Sequence, residues 1–185
     1  MRFSWLKYRR LAIICFLVWC ADARCVAADP TRFGLESIGA QAGFGASSTS
    51  EGIFQSEAVL GFSLPSDWNL GKDWRTWLRL DTSAGWLGQD DHGGLTFAAV
   101  PTLVLGRPPF PVTVEIGVGP RYIKEWEFKE KNLGSHFQIS SALGPNLELT
   151  RWLRLSYRFQ HMSNGGLAVP NQGLNLHFVA LRYVF

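Results

Sequence analysis

The length, composition and charge of the chain restrict it to one apolar domain. It has 185 residues, of which 46% are hydrophobic, 14% aromatic and 18% charged, an apolar balance for a protein of this length. The formal net charge is +3, but residues 1–28 hold five of the 18 Lys and Arg and one of the 15 Asp and Glu, so the remainder carries −1. The charge therefore gives no support to a nucleic-acid partner.

The N-terminus has the pattern of a secretory signal peptide. Four basic residues precede an apolar stretch of about ten residues, which is too short to span a bilayer as a helix and disfavours a membrane anchor. Small residues allow cleavage after Ala23 or Ala28, and we favour Ala28. This divides the chain into a signal peptide, 1–28, and a mature domain, 29–185. All three cysteines lie in the removed segment, so no disulfide framework and no cysteine metal site is predicted.

The mature chain alternates between apolar and polar or small residues with a period of two, which predicts β-strands. In chain order, eight predicted strands have apolar faces at 38–44, 54–62, 78–80, 95–105, 112–118, 137–147, 153–159 and 174–185. The gaps rich in turn residues are 65–67, 90–94, 107–109, 127–134 and 164–173. No mature segment has an apolar stretch long enough to predict a transmembrane helix.

The two faces of the strands predict a barrel in a membrane. One face is large and apolar. The other mixes small residues with charges of both signs, which suits a narrow lumen; these charges are Glu57, Asp81, Glu115, Glu148, Arg79, Arg121, Arg154 and Arg158. The chain ends on Phe185 in an amphipathic strand, as bacterial outer-membrane barrels do. The sequence therefore predicts an all-β, eight-stranded antiparallel transmembrane β-barrel in the bacterial outer membrane; the alternation also fits a soluble lipocalin-like barrel.

A histidine and a serine stand at the end of the seventh predicted strand. His161 and Ser163 continue the lipid-facing set of that strand, and same-face neighbours on a strand lie about 6.5–7 Å apart. A base and a nucleophile at this spacing are compatible with a hydroxyl–imidazole hydrogen bond. The other interpretation is that both are ordinary residues of the headgroup zone.

The residues that follow resemble the signature of a known family. His161-Met162-Ser163-Asn164-Gly165-Gly166-Leu167, followed by Pro170-Asn171-Gln172-Gly173-Leu174-Asn175, is similar to the motif of the lipid A 3-O-deacylases, the PagL family. The likeness covers about fifteen residues and is specific in order and spacing. That family folds as an eight-stranded outer-membrane barrel with its hydrolase site on the outer wall.

The resemblance implies a role for each matched residue. Ser163 would be the nucleophile and His161 its general base. Asn171 and the backbone N–H of Gly166 would stabilise the oxyanion, and Asn164 would shape the turn. Asn175 stands where the family has an acid, usually Glu, so it would orient His161 without a negative charge. Another loop could supply the acid instead; the candidates are Glu51, Glu125, Glu127 and Glu130.

The resemblance predicts a carboxylic ester hydrolase that removes the 3-position acyl chain from lipid A of lipopolysaccharide in the outer leaflet. Asn175 predicts a weakened activity. Two alternatives remain: a non-enzymatic barrel used for adhesion or membrane integrity, and a lipid A acyltransferase. We expect no cofactor, no metal ion and no nucleic-acid partner, and the sequence leaves a homodimer open.

Overall fold

The computed structural model describes residues 32–185, and within them ten strands account for nearly all regular structure. The predicted signal peptide lies outside the described residues. The strands are β1 (Gly34–Gly45), β2 (Ile53–Gly71), β3 (Trp74–Gln89), β4 (His92–Gly106), β5 (Val112–Ile123), β6 (Glu127–Phe128), β7 (Lys131–Asn132), β8 (Phe137–Thr150), β9 (Leu153–Ser163) and β10 (Leu174–Val184). A short 3-10 helix spans Ser48–Ser50. None of the described helices is long or apolar enough to cross a bilayer.

Eight of the strands close into an antiparallel barrel, which confirms the predicted fold. The order around the barrel is β1-β10-β9-β8-β5-β4-β3-β2, and β6 and β7 form a separate hairpin. Closure pairs β1 with β10, from Ser37 opposite Val184 to Gly45 opposite Leu176. Every barrel strand therefore has a partner on both sides, as a sheet in hydrocarbon requires.

The turn predicted at residues 65–67 is wrong, because β2 continues through Pro65 to Gly71. The β2–β3 pairing is irregular between Ser63 and Asp67, so the missing N–H of Pro65 falls where the ladder is already interrupted. Ser66 Oγ accepts the N–H of Leu78 at 2.8 Å and replaces part of that ladder. The chain reverses further on, at Lys72 and Asp73, both with positive φ.

The two ends of the barrel differ in the length of their connections. Short connections, together with both ends of the barrel sequence, occupy one end. The other end carries longer loops, here named L1 (46–52), L3 (124–136) and L4 (164–173), and the tight turn L2 (90–91). Short periplasmic turns and long extracellular loops are the rule for outer-membrane barrels, so L1 to L4 define the extracellular end.

The outer wall, meaning the surface that faces away from the lumen, is apolar between two aromatic girdles. Exposed aromatic side chains near the extracellular end include Phe44, Phe54, Trp86 and Phe137, and those near the other end include Phe33, Trp68, Trp74 and Phe110. Aliphatic side chains such as Val118, Leu143 and Val179 cover the zone between them. Aromatic girdles that flank an apolar band are typical of a barrel that crosses an outer membrane.

The middle of the lumen is filled by ion pairs, here named the lumen network. Asp81 accepts hydrogen bonds from Arg79 (2.8 Å), Arg182 (2.7 Å) and Arg158 (3.2 Å). Arg121 pairs with Glu57, and Arg154 pairs with Glu36 (2.9 Å) and Glu148 (2.5 Å). A cavity of about 20 Å³ remains among these side chains, room for about one water. The predicted mixture of positive and negative charges in the lumen is confirmed, and Glu36 and Arg182 belong to the network although the sequence did not indicate them.

An apolar core closes the lumen at the extracellular end. Inward-facing residues of β2, β3, β5, β9 and β10 pack there against two residues of L3; the set is Ile53, Leu87, Ile123, Phe128, Leu133, Met162, Leu174, Leu176 and Phe178. β9 and β10 contribute four of these nine side chains. Close packing on the lumen side therefore supports the two strands that carry the candidate site on their outer face.

Candidate active site

The predicted catalytic residues lie together on the outer wall, at the extracellular rim of β9 and β10. Side chains alternate strictly along β9, with exposed or half-buried odd-numbered residues and buried even-numbered ones. His161 and Ser163 thus face outward, as their spacing predicted. His161 is the Cα partner of Asn175 on β10, and Ser163 is the partner of Ile139 on β8.

His161 and Asn175 are joined by a hydrogen bond. His161 Nδ1 lies 2.7 Å from Asn175 Oδ1. With Asn175 Oδ1 as acceptor, Nδ1 carries the proton and Nε2 keeps a lone pair, the tautomer that a general base needs. In the part of the chain that the structure describes, none of the four loop carboxylates considered as substitutes forms a hydrogen bond or ion pair with His161. Asn175 thus occupies the orienting position itself.

The Ser163 hydroxyl has no hydrogen bond to another described residue, and Ser163 is half-buried at the last position of β9. Catalytic hydrogen bonds are often long in an unliganded site and shorten when substrate binds. Gly173 brings the backbone of L4 against His161: a Cβ added at Gly173 would lie 2.9 Å from Cε1 and 3.7 Å from Nε2 of the ring. Its φ of +62° also favours glycine.

Asn164 is the centre of L4. Its side chain is fully buried, and Nδ2 lies within hydrogen-bond distance of three carbonyl oxygens: Ala168 (3.0 Å) and Pro170 (3.0 Å) in L4, and Leu133 (2.9 Å) in L3. Its Oδ1 accepts the N–H of Gly166 at 2.9 Å. The predicted role in shaping the turn agrees with these contacts, and they extend it to the neighbouring loop.

Two residues predicted to bind an oxyanion have different partners in this structure. Asn171 Oδ1 accepts the backbone N–H of Asn164 at 3.1 Å, and Asn171 Nδ2 has no partner among the described residues. The N–H of Gly166 already donates to Asn164 Oδ1. The Asn171 amide can therefore donate to an oxyanion without rearrangement. The N–H of Gly166 can do so only after its hydrogen bond to Asn164 Oδ1 has broken.

L3 supports L4 through contacts that the sequence analysis missed. Gln172, the residue directly before Gly173, accepts the N–H of Asn132 through Oε1 at 2.6 Å. Gly134, with a φ of +76°, lies so close to Pro170 that a Cβ there would be 1.9 Å from the Pro170 carbonyl oxygen. Turn residues in L3 were visible in the sequence, but nothing in it indicates that the hairpin packs on L4.

A second polar pair lies beside the first on the outer wall. The Tyr157 hydroxyl lies 2.7 Å from His177 Nδ1, and Phe44 and Phe159 contact the His177 ring with centroid separations of 5.9 and 5.5 Å. His177 follows Asn175 on the same face of β10. No cluster of three or more His, Cys, Asp or Glu side chains suited to a metal ion occurs within residues 32–185.

Fold and site together define an eight-stranded barrel of outer-membrane type that carries Ser163 and the hydrogen-bonded His161–Asn175 pair on its lipid-facing wall. The family model described as "Lipid A 3-O-deacylase (PagL)" matches residues 55–184. The chain belongs to this family, as the signature around His161 and Ser163 predicted.

Individual relatives match over shorter segments. The chain is 33% identical over 72 residues to "Lipid A deacylase PagL" of Bordetella bronchiseptica, covering 39% of this chain and 40% of the relative. It is 28% identical over 92 residues to the protein of that name from Pseudomonas aeruginosa, covering 48% and 53%. The match thus spans about half the length of these relatives or less. The structure titled "Crystal structure of the outer membrane enzyme PagL" superposes with a TM-score of 0.69 at 19% identity, covering 79% of this chain and 97% of that one.

Proposed function

We propose that the protein is an outer-membrane lipid A deacylase that hydrolyses the ester at the 3-position of lipid A in lipopolysaccharide. The observation that carries the proposal is the His161 Nδ1–Asn175 Oδ1 hydrogen bond beside Ser163 on the lipid-facing wall. Membership of the lipid A 3-O-deacylase family supports the substrate class. The rim of the barrel lies at the headgroup level of the outer leaflet, where lipid A is found.

The reaction begins with Ser163 and His161. As Ser163 Oγ attacks the ester carbonyl carbon, its proton passes to His161 Nε2, and Asn175 holds the ring through Nδ1. The tetrahedral intermediate carries a negative charge on the former carbonyl oxygen. Asn171 Nδ2 donates a hydrogen bond to that oxygen. The N–H of Gly166 also donates to it once its hydrogen bond to Asn164 Oδ1 has broken. One such donor is typically worth about 10²–10³ in rate.

Collapse of the intermediate breaks the bond between the carbonyl carbon and the sugar oxygen. His161 returns its proton to that oxygen, so the sugar leaves as an alcohol and the acyl group stays on Ser163. A water molecule then attacks the acyl-enzyme and gives its proton to His161. Release of the fatty acid restores the Ser163 hydroxyl. The only external reactant is water.

The test is mass spectrometry of lipid A from cells that express the wild type or Ser163→Ala. We expect the wild type alone to remove one ester-linked acyl chain. A heat-modifiable band for both proteins controls for folding in the outer membrane. Unchanged lipid A with a folded wild type would contradict the proposal and favour a non-enzymatic barrel, because Asn175 lacks the charge of an acid. A gained acyl chain would instead indicate an acyltransferase.

A further inference from the structure

The tip of L4, residues 166–169, exposes apolar side chains, unlike the other extracellular loops. Leu167 and Val169 are 81% and 96% exposed, the two highest values among the large hydrophobic residues of the described chain, and L4 contains no charged residue. The exposed side chains of L1, L2 and L3 are all polar or charged: Ser47, Ser48, Thr49, Glu51, Asp90, Asp91, Lys124, Glu127, Lys129 and Glu130. One exposed leucine is ordinary on a protein surface, but two large apolar side chains on one uncharged loop mark an interaction surface.

L4 leans on the outer wall of the barrel and not over its lumen. A Cβ added at Gly165 would lie 2.9 Å from Cδ1 of Ile139, and Ile139 is the exposed, outward-facing residue of β8 opposite Ser163. L3 lies on the lumen side of L4, because Leu133 belongs to the apolar core and its carbonyl accepts a hydrogen bond from Asn164. With the outer wall beneath it and L3 behind it, the tip of L4 points away from the lumen.

The apolar surface of the outer wall continues into the tip of L4. Phe137 and Ile139, the first two outward-facing residues of β8, are 68% and 47% exposed. Lipid covers this wall in a membrane, so hydrocarbon that reaches Ile139 also reaches the loop that packs on it. The continuity of the two surfaces identifies outer-leaflet lipid as the partner of the exposed tip.

The backbone of the tip is hydrogen-bonded within L4, which suits a loop at the boundary of the hydrocarbon. The N–H groups of Gly166 and Leu167 donate to Oδ1 and the carbonyl oxygen of Asn164, at 2.9 and 3.1 Å. The carbonyl oxygens of Ala168 and Pro170 accept from Asn164 Nδ2 at 3.0 Å each. A polar backbone group that enters lipid without a partner is costly, and the buried Asn164 removes much of that cost.

We propose that the tip of L4 inserts into the outer leaflet beside β8, with Leu167 and Val169 in contact with lipid hydrocarbon. The partner is the acyl-chain region of any outer-leaflet lipid, because no charged group of L4 selects a headgroup. Apolar residues of interfacial segments typically reach about 5–10 Å below the headgroups. L4 is thereby held against the bilayer from outside, as L3 holds it from the lumen side. This inference does not depend on the proposed hydrolysis.

The experiment measures how deeply a nitroxide label on L4 lies in a bilayer. All three cysteines belong to the predicted signal peptide, so Leu167→Cys or Val169→Cys gives the processed protein one labelling site. The labelled protein is folded into vesicles of dilauroyl phosphatidylcholine. Electron paramagnetic resonance then gives the collision rates of the label with oxygen, which concentrates in hydrocarbon, and with a water-soluble nickel chelate.

Two labelled controls calibrate the ratio of the oxygen to the nickel collision rate. Thr49→Cys places the label on the exposed polar loop L1, and Val118→Cys places it on the outer wall among the strands. For both L4 positions we expect a ratio several-fold higher than for Thr49→Cys and lower than for Val118→Cys, as befits residues at the edge of the hydrocarbon. Heat-modifiable mobility verifies folding of each variant.

A second substitution tests whether the apolar side chains cause the insertion. Leu167→Asp, introduced beside a label at Val169→Cys, is expected to lower the ratio towards that of Thr49→Cys, because a charge disfavours immersion in hydrocarbon. Ser48→Asp adds the same charge to L1, and the label on L4 is expected not to respond to it.

Three results would overturn the proposal. The first is a ratio at both L4 positions equal to that of Thr49→Cys, which would place L4 in water. The second is a ratio at Val169→Cys that Leu167→Asp leaves unchanged. The third is dipolar broadening between labels that disappears on dilution with unlabelled protein, which would identify a second copy of the chain as the partner. None of these measurements needs lipid A, so the deacylase proposal stands or falls separately.

Discussion

At the residue scale, the proposed catalytic site differs from a Ser-His-acid triad in one charge. Asn175 Oδ1 holds His161 through Nδ1, so the orientation of the ring is provided for. In the proposed mechanism, a neutral amide does not stabilise the imidazolium that forms when Ser163 loses its proton. In a serine protease the change from acid to amide costs about 10⁴ in kcat, so charge is the property that limits this site.

Asn175→Glu is expected to raise kcat by about tenfold or more, because a carboxylate both orients His161 and stabilises its protonated form. Release of fatty acid from purified lipid A measures it. Asn175→Leu is the opposite control, since it removes the acceptor and is expected to lower kcat. An unchanged or lower rate in Asn175→Glu would mean that the charge is supplied from another loop.

Gly173→Ala is expected to lower kcat by about 10²-fold, because the new Cβ would displace the imidazole from its position beside Ser163. The positive φ adds a cost of about 1–2 kcal/mol to folding. Gly71→Ala is the matched control: its φ is +85°, yet a Cβ there meets nothing within 4 Å. Equal loss of activity in both variants would assign the effect to the backbone and not to the contact with His161.

At the element scale, β9, β10, L3 and L4 form one supporting unit. The sequence predicted the strand faces and the limits of L4 because period two and turn residues are local signals. The turn predicted at Pro65 was wrong, because the β2–β3 pairing is irregular there and needs no N–H from the proline. The sequence also failed to indicate the β6–β7 hairpin, because the packing of L3 on L4 depends on contacts about 30–40 residues apart, such as Asn164 with Leu133 and Asn132 with Gln172.

Asn164→Asp is expected to loosen L4 and lower kcat by about 10–100-fold. The aspartate keeps the acceptor for the Gly166 N–H but loses the donors to the carbonyls of Leu133, Ala168 and Pro170. Faster hydrogen exchange in L4 and L3, with an unchanged barrel, is the measurement.

Asn69→Asp provides the matched control for that variant. Asn69 Oδ1 likewise accepts the N–H of the residue two positions on, Gly71, but in an exposed turn at the other end of the barrel. Exchange in L4 should not respond to it. If Asn164→Asp left L4 as protected as in the wild type, the cross-loop donors would not be what holds the loop.

At the scale of the whole molecule, stability depends on the lumen network. Three arginines converge on Asp81, and all four side chains are buried or nearly so. Alternation in the sequence was enough to predict that the lumen is charged. It did not indicate which carboxylate receives several arginines, because that depends on the order of strands around the barrel.

Asp81→Asn is expected to lower the free energy of unfolding by about 3–5 kcal/mol, because it leaves buried guanidinium groups with one carboxylate fewer. Urea unfolding in lipid vesicles, followed by tryptophan fluorescence, measures the change. Asp67→Asn is the control, since its exposed pair with Arg75 is screened by solvent. A loss of similar size in both variants would contradict the importance of the network.

The alternation of β9 links the lumen network to chemistry on the other side of the sheet. Arg154 and Arg158 face inward while His161 and Ser163 face outward, so a register slip of one residue would exchange the two sets. Turned towards lipid, Arg158 in the middle of β9 would cost about 2–4 kcal/mol, and Arg154 at the periplasmic start of the strand would cost less. The arginines thus disfavour a barrel assembled in the wrong register. Replacing them with uncharged residues should first appear as a fraction of molecules that are inserted in the membrane but inactive.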